Sequence, residues 1–128
     1  MGGSRIAIRW RDLDAYGHVN TAVYLTYGEE VLDAWIGERL SIAPGGVWDH
    51  VTARAALDYR GELRQADVEA VGTVTGAQVG TKSVTAQVEL RAPDGRLAAE
   101  IEFVIVAIDG AGGGSRALTD AERAAFAA

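Results

Sequence analysis

Two acids and a histidine fall within one short run, Asp12-Leu13-Asp14-Ala15-Tyr16-Gly17-His18, which continues through Val19-Asn20-Thr21-Ala22-Val23-Tyr24 into a periodic apolar stretch. A carboxylate in a turn just ahead of a helix sits near the positive end of the helix dipole, which keeps it ionised and oriented. Unpaired N–H groups at the same helix start can hold a developing oxyanion. A nucleophile or base beside such a donor suffices for acyl transfer. Asp14 is the candidate for the acid; the alternative is that it only stabilises its turn and the helix start. A histidine's ordinary pKa of about 6.5 suits proton transfer, so His18 is either a general acid or base or a hydrogen-bonded structural residue.

The elements that would carry this run can be read from periodicity. Residues 5–11 alternate, with Ile6, Ile8 and Trp10 on one face and mostly arginine on the other, which predicts a half-buried strand. Asp14 to Gly17 suits a type I turn, and Asn20 or Thr21 offers an N-cap oxygen. From Ala22 to about Gly37, Tyr24, Tyr27, Gly28, Val31, Leu32 and Trp35 share one helical face. Gly28 lies mid-face, where a glycine costs about 1 kcal/mol against alanine. Either the sheet packs closely there or a slot is left for a ligand. Glu29, at the edge of that face, is expected to pair with Arg54 or Arg60.

Four further strands are expected after the Pro44-Gly45-Gly46 loop. In the first, Val51, Ala53, Ala55, Leu57 and Tyr59 predict one buried face. The second runs from about 67 to 77, with Gly72 and Gly76 as possible bulges. Val84, Ala86, Val88 and Leu90 mark the third, and Pro93-Asp94-Gly95 turns the chain into the fourth, Arg96 to Ile108. Its end, Phe103 to Ile108, is apolar on both sides, which suggests a covering partner. Residues 110–128 read as a flexible glycine-rich tail whose Thr119-Asp120-Ala121-Glu122 fits a capping box before a short helical turn. The order of strand, helix and four strands predicts an α+β fold in a single domain over 1–128, an antiparallel five-stranded sheet with one long helix.

Composition narrows the chemistry. The chain has 128 residues, a net charge of −6, no cysteine and two histidines. That charge opposes nucleic-acid binding, and no cysteine means no thiolate catalysis and no zinc–sulfur site. A metal centre and a cofactor are not expected. The opening residues lack the apolar run of a signal peptide, and no stretch approaches a membrane span, so a cytoplasmic protein without membrane contact is expected.

The run Arg11 to Asn20, followed by Tyr24 and Glu29, resembles the signature of the hot-dog-fold acyl-CoA thioesterases related to 4-hydroxybenzoyl-CoA thioesterase. Gly80 to Val84 and Arg116 to Thr119 are similar to that family's strand start and tail. The resemblance implies a hot-dog fold and thioester hydrolysis. It implies Asp14 as the catalytic carboxylate, acting as nucleophile or base, and the Thr21 backbone amide as oxyanion donor. Asn20 and His18 would shape the turn, and Gly17, Tyr24, Gly28 and Lys82 would line or hold substrate. The substrate would be an acyl-CoA, or an acyl carrier protein thioester, since only Lys82 is basic where some relatives cluster arginines. A homodimer joined sheet edge to sheet edge, commonly paired into a tetramer, is also implied. Acyl-thioester hydration or dehydration, and non-catalytic acyl-thioester binding, are the rival readings.

Overall fold

Seven buried residues, Tyr24, Tyr27, Gly28, Val31, Leu32, Trp35 and Ile36, run down one face of helix α1 (Thr21–Arg39). The expected apolar face is thus the observed one, lengthened by Ile36. In this computed structural model, which describes residues 3–127, that face lies across a five-stranded antiparallel sheet. The strands are β1 (Ser4–Ala7), β2 (His50–Tyr59), β3 (Glu69–Val79), β4 (Ser83–Arg91) and β5 (Leu97–Ala107). Their order across the sheet is β1-β3-β4-β5-β2.

The helix rests on β3, β4 and β5, whose inward residues alternate as the pleat requires: Val84, Ala86, Val88 and Leu90 pair with Ile105, Phe103, Ile101 and Ala99. Each fully buried large apolar side chain in this layer contributes roughly 1.5–3 kcal/mol. Two glycines set the helix-to-sheet distance. A Cβ at Gly28 would lie 2.5 Å from Ile101 Cδ1 and 3.2 Å from the Phe103 ring, and one at Gly72 would collide with Val31. The tight turn between β4 and β5 uses Gly95 at φ +94°, as the Pro-Asp-Gly signal predicts.

Three expectations need correction. The first strand ends at Ala7, and Trp10, expected inward, is 81% exposed. Asp12 stops the strand: its Oδ2 accepts from the Arg9 backbone N–H at 3.0 Å and winds Trp10–Asp12 into a 3-10 turn. Strand β2 forms where expected, yet its apolar alternation is not covered, with Val51 48% and Tyr59 50% exposed. It is an edge strand that pairs only with β5, whereas β5, with its doubly apolar end, is interior. Finally, residues 110–127 are not a loose tail. Ile108 bridges to Ser115, Leu118 N–H donates to Thr81 O at 2.9 Å, and Phe126 of helix α2 (Asp120–Ala127) is buried against Trp35 and Trp48.

The capping box at Thr119 forms in both directions, Glu122 N–H to Thr119 Oγ1 at 3.1 Å and Thr119 N–H to Glu122 Oε1 at 2.9 Å. Arg54 and Arg60 pair with Glu102 at 2.6 Å and Glu100 at 2.9 Å on the outer sheet face, not with Glu29, which is exposed on the helix.

Candidate active site

Asp12 and Asp14 are two residues apart and differ in kind. Asp12 is buried, 5% exposed, and its Oδ2 accepts from the Tyr27 hydroxyl at 2.6 Å as well as from Arg9. Burial works to raise its pKa, but the hydrogen bonds from Tyr27 and Arg9 outweigh it and hold the carboxyl below its ordinary value. Burial, with Asp12 beside it, pushes the Tyr27 hydroxyl up. Asp12 is therefore a structural anchor between the strand end and α1.

Asp14 is half-buried and turns its carboxylate into its own loop. Its Oδ1 accepts from Tyr16 N–H at 2.8 Å and His18 N–H at 3.1 Å. Asp14 N–H in turn donates to His18 O at 2.8 Å, and Gly17, at φ +80°, closes the turn with its N–H 3.3 Å from Asp14 O. Oδ2 has no hydrogen-bond partner among the described residues. One oxygen is held by backbone and the other is open.

Helix α1 starts seven residues later. Asn20 is the N-cap, its Oδ1 accepting from Ala22 N–H at 3.0 Å while its carbonyl accepts from Val23 N–H at 2.9 Å. The Thr21 N–H is left with no acceptor among the described residues. A cap that serves the second and third helical amides leaves the first as a free donor at the positive helix end.

Sequence reasoning missed what lies against this turn. The connection between β2 and β3, residues 60–68, carries no motif of its own, and its contacts to the turn are some forty positions distant in sequence. Leu63, fully buried, accepts from Val19 N–H at 2.8 Å and donates its own N–H to the Tyr24 hydroxyl at 2.8 Å. His18 bridges to Arg64, and its Nε2 lies 3.4 Å from Glu62 Oε2. Tyr59, at the end of β2, donates its hydroxyl to Thr21 O at 2.7 Å and meets Tyr24 edge to face. The only available signal was the density of charge in Arg60 to Asp67.

The residues expected to hold substrate are dispersed. Gly17 is exposed in the turn. Tyr24 is buried, with its hydroxyl bound to the 60–68 connection and its pKa raised chiefly by burial. Gly28 leaves no slot, because the Ile101 and Phe103 side chains fill the space above it; it is a close-packing glycine. Lys82 stands at the other end of the sheet, where its O accepts from Ala107 N–H at 3.0 Å and its Nζ lies 3.4 Å from Ser115 Oγ. Strand β2 begins beside Ala107 at His50 and ends at Tyr59 near Thr21. Its ten residues at about 3.3 Å each separate the two ends by about 30 Å. Lys82 and Asp14 thus do not meet within one chain.

That far end has its own concavity, about 470 Å³, lined among others by Asp33, Ile36, Ile42, Val47, Trp48 and His50. His50 stacks on Trp48 and sits with Nδ1 2.7 Å from the Trp48 carbonyl. Among the described residues no group of three His, Asp or Glu side chains converges on a point where a metal could bind. No described helix is long and apolar enough to cross a membrane.

Residues 8–126 match the family model of the thioesterase-like superfamily. The protein belongs to this superfamily. Membership places it among thioester hydrolases, and its fold is the hot-dog fold, the antiparallel sheet wrapped on α1. A Thermus thermophilus thioesterase solved with coenzyme A and zinc is 29% identical, with 97% of this chain and 90% of that chain covered at a TM-score of 0.81. A Pseudomonas aeruginosa protein given as a candidate thioesterase is 28% identical, with 98% of each chain covered and a TM-score of 0.83. A 1,4-dihydroxy-2-naphthoyl-CoA thioesterase from Synechocystis, 17% identical, shares the fold over 98% of this chain and 94% of its own at a TM-score of 0.78. No curated protein matches the chain at a significant level.

Proposed function

We propose that this thioesterase-superfamily protein hydrolyses acyl-CoA thioesters to a free acid and CoA, with Asp14 as the reacting carboxylate. The observation that carries the reading is the asymmetry of that carboxylate: Oδ1 is fixed by two backbone amides and Oδ2 is open, just ahead of the unpaired Thr21 N–H. Oδ2 either attacks the thioester carbonyl or takes a proton from a water that does. The Thr21 amide receives the developing oxyanion, a contribution of about 3 kcal/mol for one well-placed donor. Asn20 and Gly17 fix the backbone that aims both groups. Coenzyme A as the thiol carrier draws support from the Thermus relative, solved with that molecule.

The working form in this reading is a homodimer joined along β2. The strand's outer edge is unpaired, and its inward residue Tyr59 is half exposed, which is what a second sheet would cover; Val51, opposite Val106 because of the bulge between Thr52 and Arg54, lies half exposed on the outer face. Antiparallel pairing of two copies of one strand inverts it. The end carrying the partner subunit's Lys82 and its 470 Å³ concavity then comes toward this chain's Asp14. A site shared in this way accounts for the 30 Å gap within one chain and gives Lys82 a substrate to hold. Pairing of dimers into a tetramer through the half-buried outer residues Val104 and Val106 completes the proposal.

The test is thiol release from aromatic, short-chain and long-chain acyl-CoAs by the wild-type protein and by Asp14→Asn. Release that vanishes in the variant, with unchanged circular dichroism, is the expected result. Near-normal turnover in Asp14→Asn overturns the assignment of Asp14. Water loss from a hydroxyacyl-CoA without thiol release, or binding with no reaction, overturns hydrolysis itself.

A further inference from the structure

The connection between β2 and β3 is anchored by buried Leu63, and around that anchor its charged side chains form a network of their own. Arg64 grips Glu62 Oε2 with Nη2 at 2.7 Å and Nε at 3.2 Å. The Arg64 backbone N–H donates to Asp67 Oδ2 at 2.9 Å, and Arg96 Nη2 reaches both Glu62 O and Asp67 Oδ2 at 3.0 Å. Exposed ion pairs of this kind contribute little to stability. What the network does achieve is to hold one carboxylate, Glu62, 3.4 Å from His18 Nε2 across a sequence gap that no local motif spans.

The histidine is fixed from its other side as well. Its N–H is bound to Asp14 Oδ1, its carbonyl to Asp14 N–H, and its ring stacks on Tyr16 at 6.5 Å between centroids. The charged and titratable groups that face it are Asp14 and Tyr16 from its own turn and Glu62 and Arg64 from the neighbouring connection. Glu62 is held below the usual carboxylate range, chiefly by Arg64 and further by His18, so it stands ionised near neutral pH. An ionised carboxylate 3.4 Å from Nε2 favours the tautomer with its hydrogen on that nitrogen, and so sets Nδ1 apart as the nitrogen turned away from Glu62. Nδ1 of His18 has no hydrogen-bond partner among the described residues.

We infer that Glu62 is a positioning residue for His18, fixing its ring so that Nδ1 delivers a proton to the departing thiolate. The inference rests on the hydrolysis proposed above. In that step the carbonyl carbon gains a C–O bond from water, the C–S bond breaks with its electron pair going to sulfur, and the Nδ1 proton goes to that sulfur. The proton lost by the attacking water passes to Asp14 and from there, through solvent, back to Nδ1. One water is consumed, and one acid and one thiol are released.

A proton donor matters in proportion to how basic the leaving group is. The test therefore uses one acyl group on two thiols, an alkyl thioester such as the N-acetylcysteamine ester and a thiophenyl ester. Glu62→Gln is expected to lower kcat about ten-fold or more on the alkyl thioester and less than about two-fold on the thiophenyl ester, with KM little changed. Glu62→Asp restores part of the loss, His18→Gln shows the same selectivity, and the double variant is no worse than the worse single one. Nitrogen-15 shifts of the folded wild type show the Nε2–H tautomer at high pH, and Glu62→Gln mixes the tautomers. Equal losses on both esters, or an unchanged tautomer, overturn the inference while leaving Asp14 in place. A wild-type protein that releases no thiol from either ester overturns the hydrolysis reading and this one with it.

Discussion

The two ends of the sheet use carboxylates in opposite ways. At the far end Glu122 is fully engaged: it accepts from Arg116 at 2.7 and 2.8 Å, from the Trp48 indole at 2.6 Å and from the Thr119 N–H at 2.9 Å. Arg116 and the other donors lower its pKa to about 2. At the near end Asp14 is held through one oxygen by two amides and keeps the other free. A carboxylate with every lone pair engaged locks elements together, whereas one that is oriented but unsaturated can still react. In the proposed mechanism the difference separates a residue that holds the fold from one that acts, even though Asp12 and Asp14 are almost adjacent.

The contrast can be broken by substitution. Asp14→Asn should cost the largest effect, about 10³-fold or more in kcat/KM with the melting temperature almost unchanged; a variant that melts well below wild type would make Asp14 another structural acid. Asp12→Asn should do the reverse, destabilising by about 2–4 kcal/mol in urea titration because Tyr27 and Arg9 lose a buried ionised acceptor. Activity per folded molecule should fall far less than for Asp14→Asn.

Glu122→Gln should be milder, about 1–3 kcal/mol after allowance for screening at its open side. Its sign with pH is fixed. A carboxyl with a folded pKa of about 2 and an unfolded value near the ordinary one stabilises fully above the unfolded value, and loses that contribution as pH falls through the folded one. Urea midpoints of the wild type should drop from about pH 4.5 towards 2, and the Glu122→Gln protein should lack that part of the slope. Smallest of all, Thr119→Ala removes one cap bond to α2 and should cost about 1 kcal/mol in thermal melts.

Much of the fold was legible because it rests on local periodicity. The buried face of α1, the alternation of β4, the Pro93-Asp94-Gly95 turn and the Thr119 capping box each depend on residues a few positions apart. What was not legible depends on where strands end up in the sheet. The alternation of β2 resembles that of β4, but one is an edge and the other central, and no pattern in either distinguishes them. Trp10 continues the period of β1, yet Asp12 ends that strand through a backbone bond. At the site, the turn and the helix start could be read from spacing. Glu62, Arg64 and Tyr59 could not, since their contacts to the turn cross some forty residues. Lys82 was drawn to the site by resemblance and lies about 30 Å from it, a distance that only the register of β2 discloses.

The hydroxyl of Tyr59, bound to the carbonyl of Thr21 at 2.7 Å, ties the sheet's open margin to the first residue of the helix. Such a link is a thermodynamic coupling in miniature. Whatever orders the margin also narrows the range of orientations available to the Thr21 peptide, and a molecule that immobilises that peptide must, by reciprocity, strengthen whatever is seated on the margin by the same factor. Occupancy at one place is thereby legible as affinity at the other. Under the proposed dimer seam and the proposed oxyanion role of Thr21, this single phenol oxygen would make association and reactivity two readings of one equilibrium.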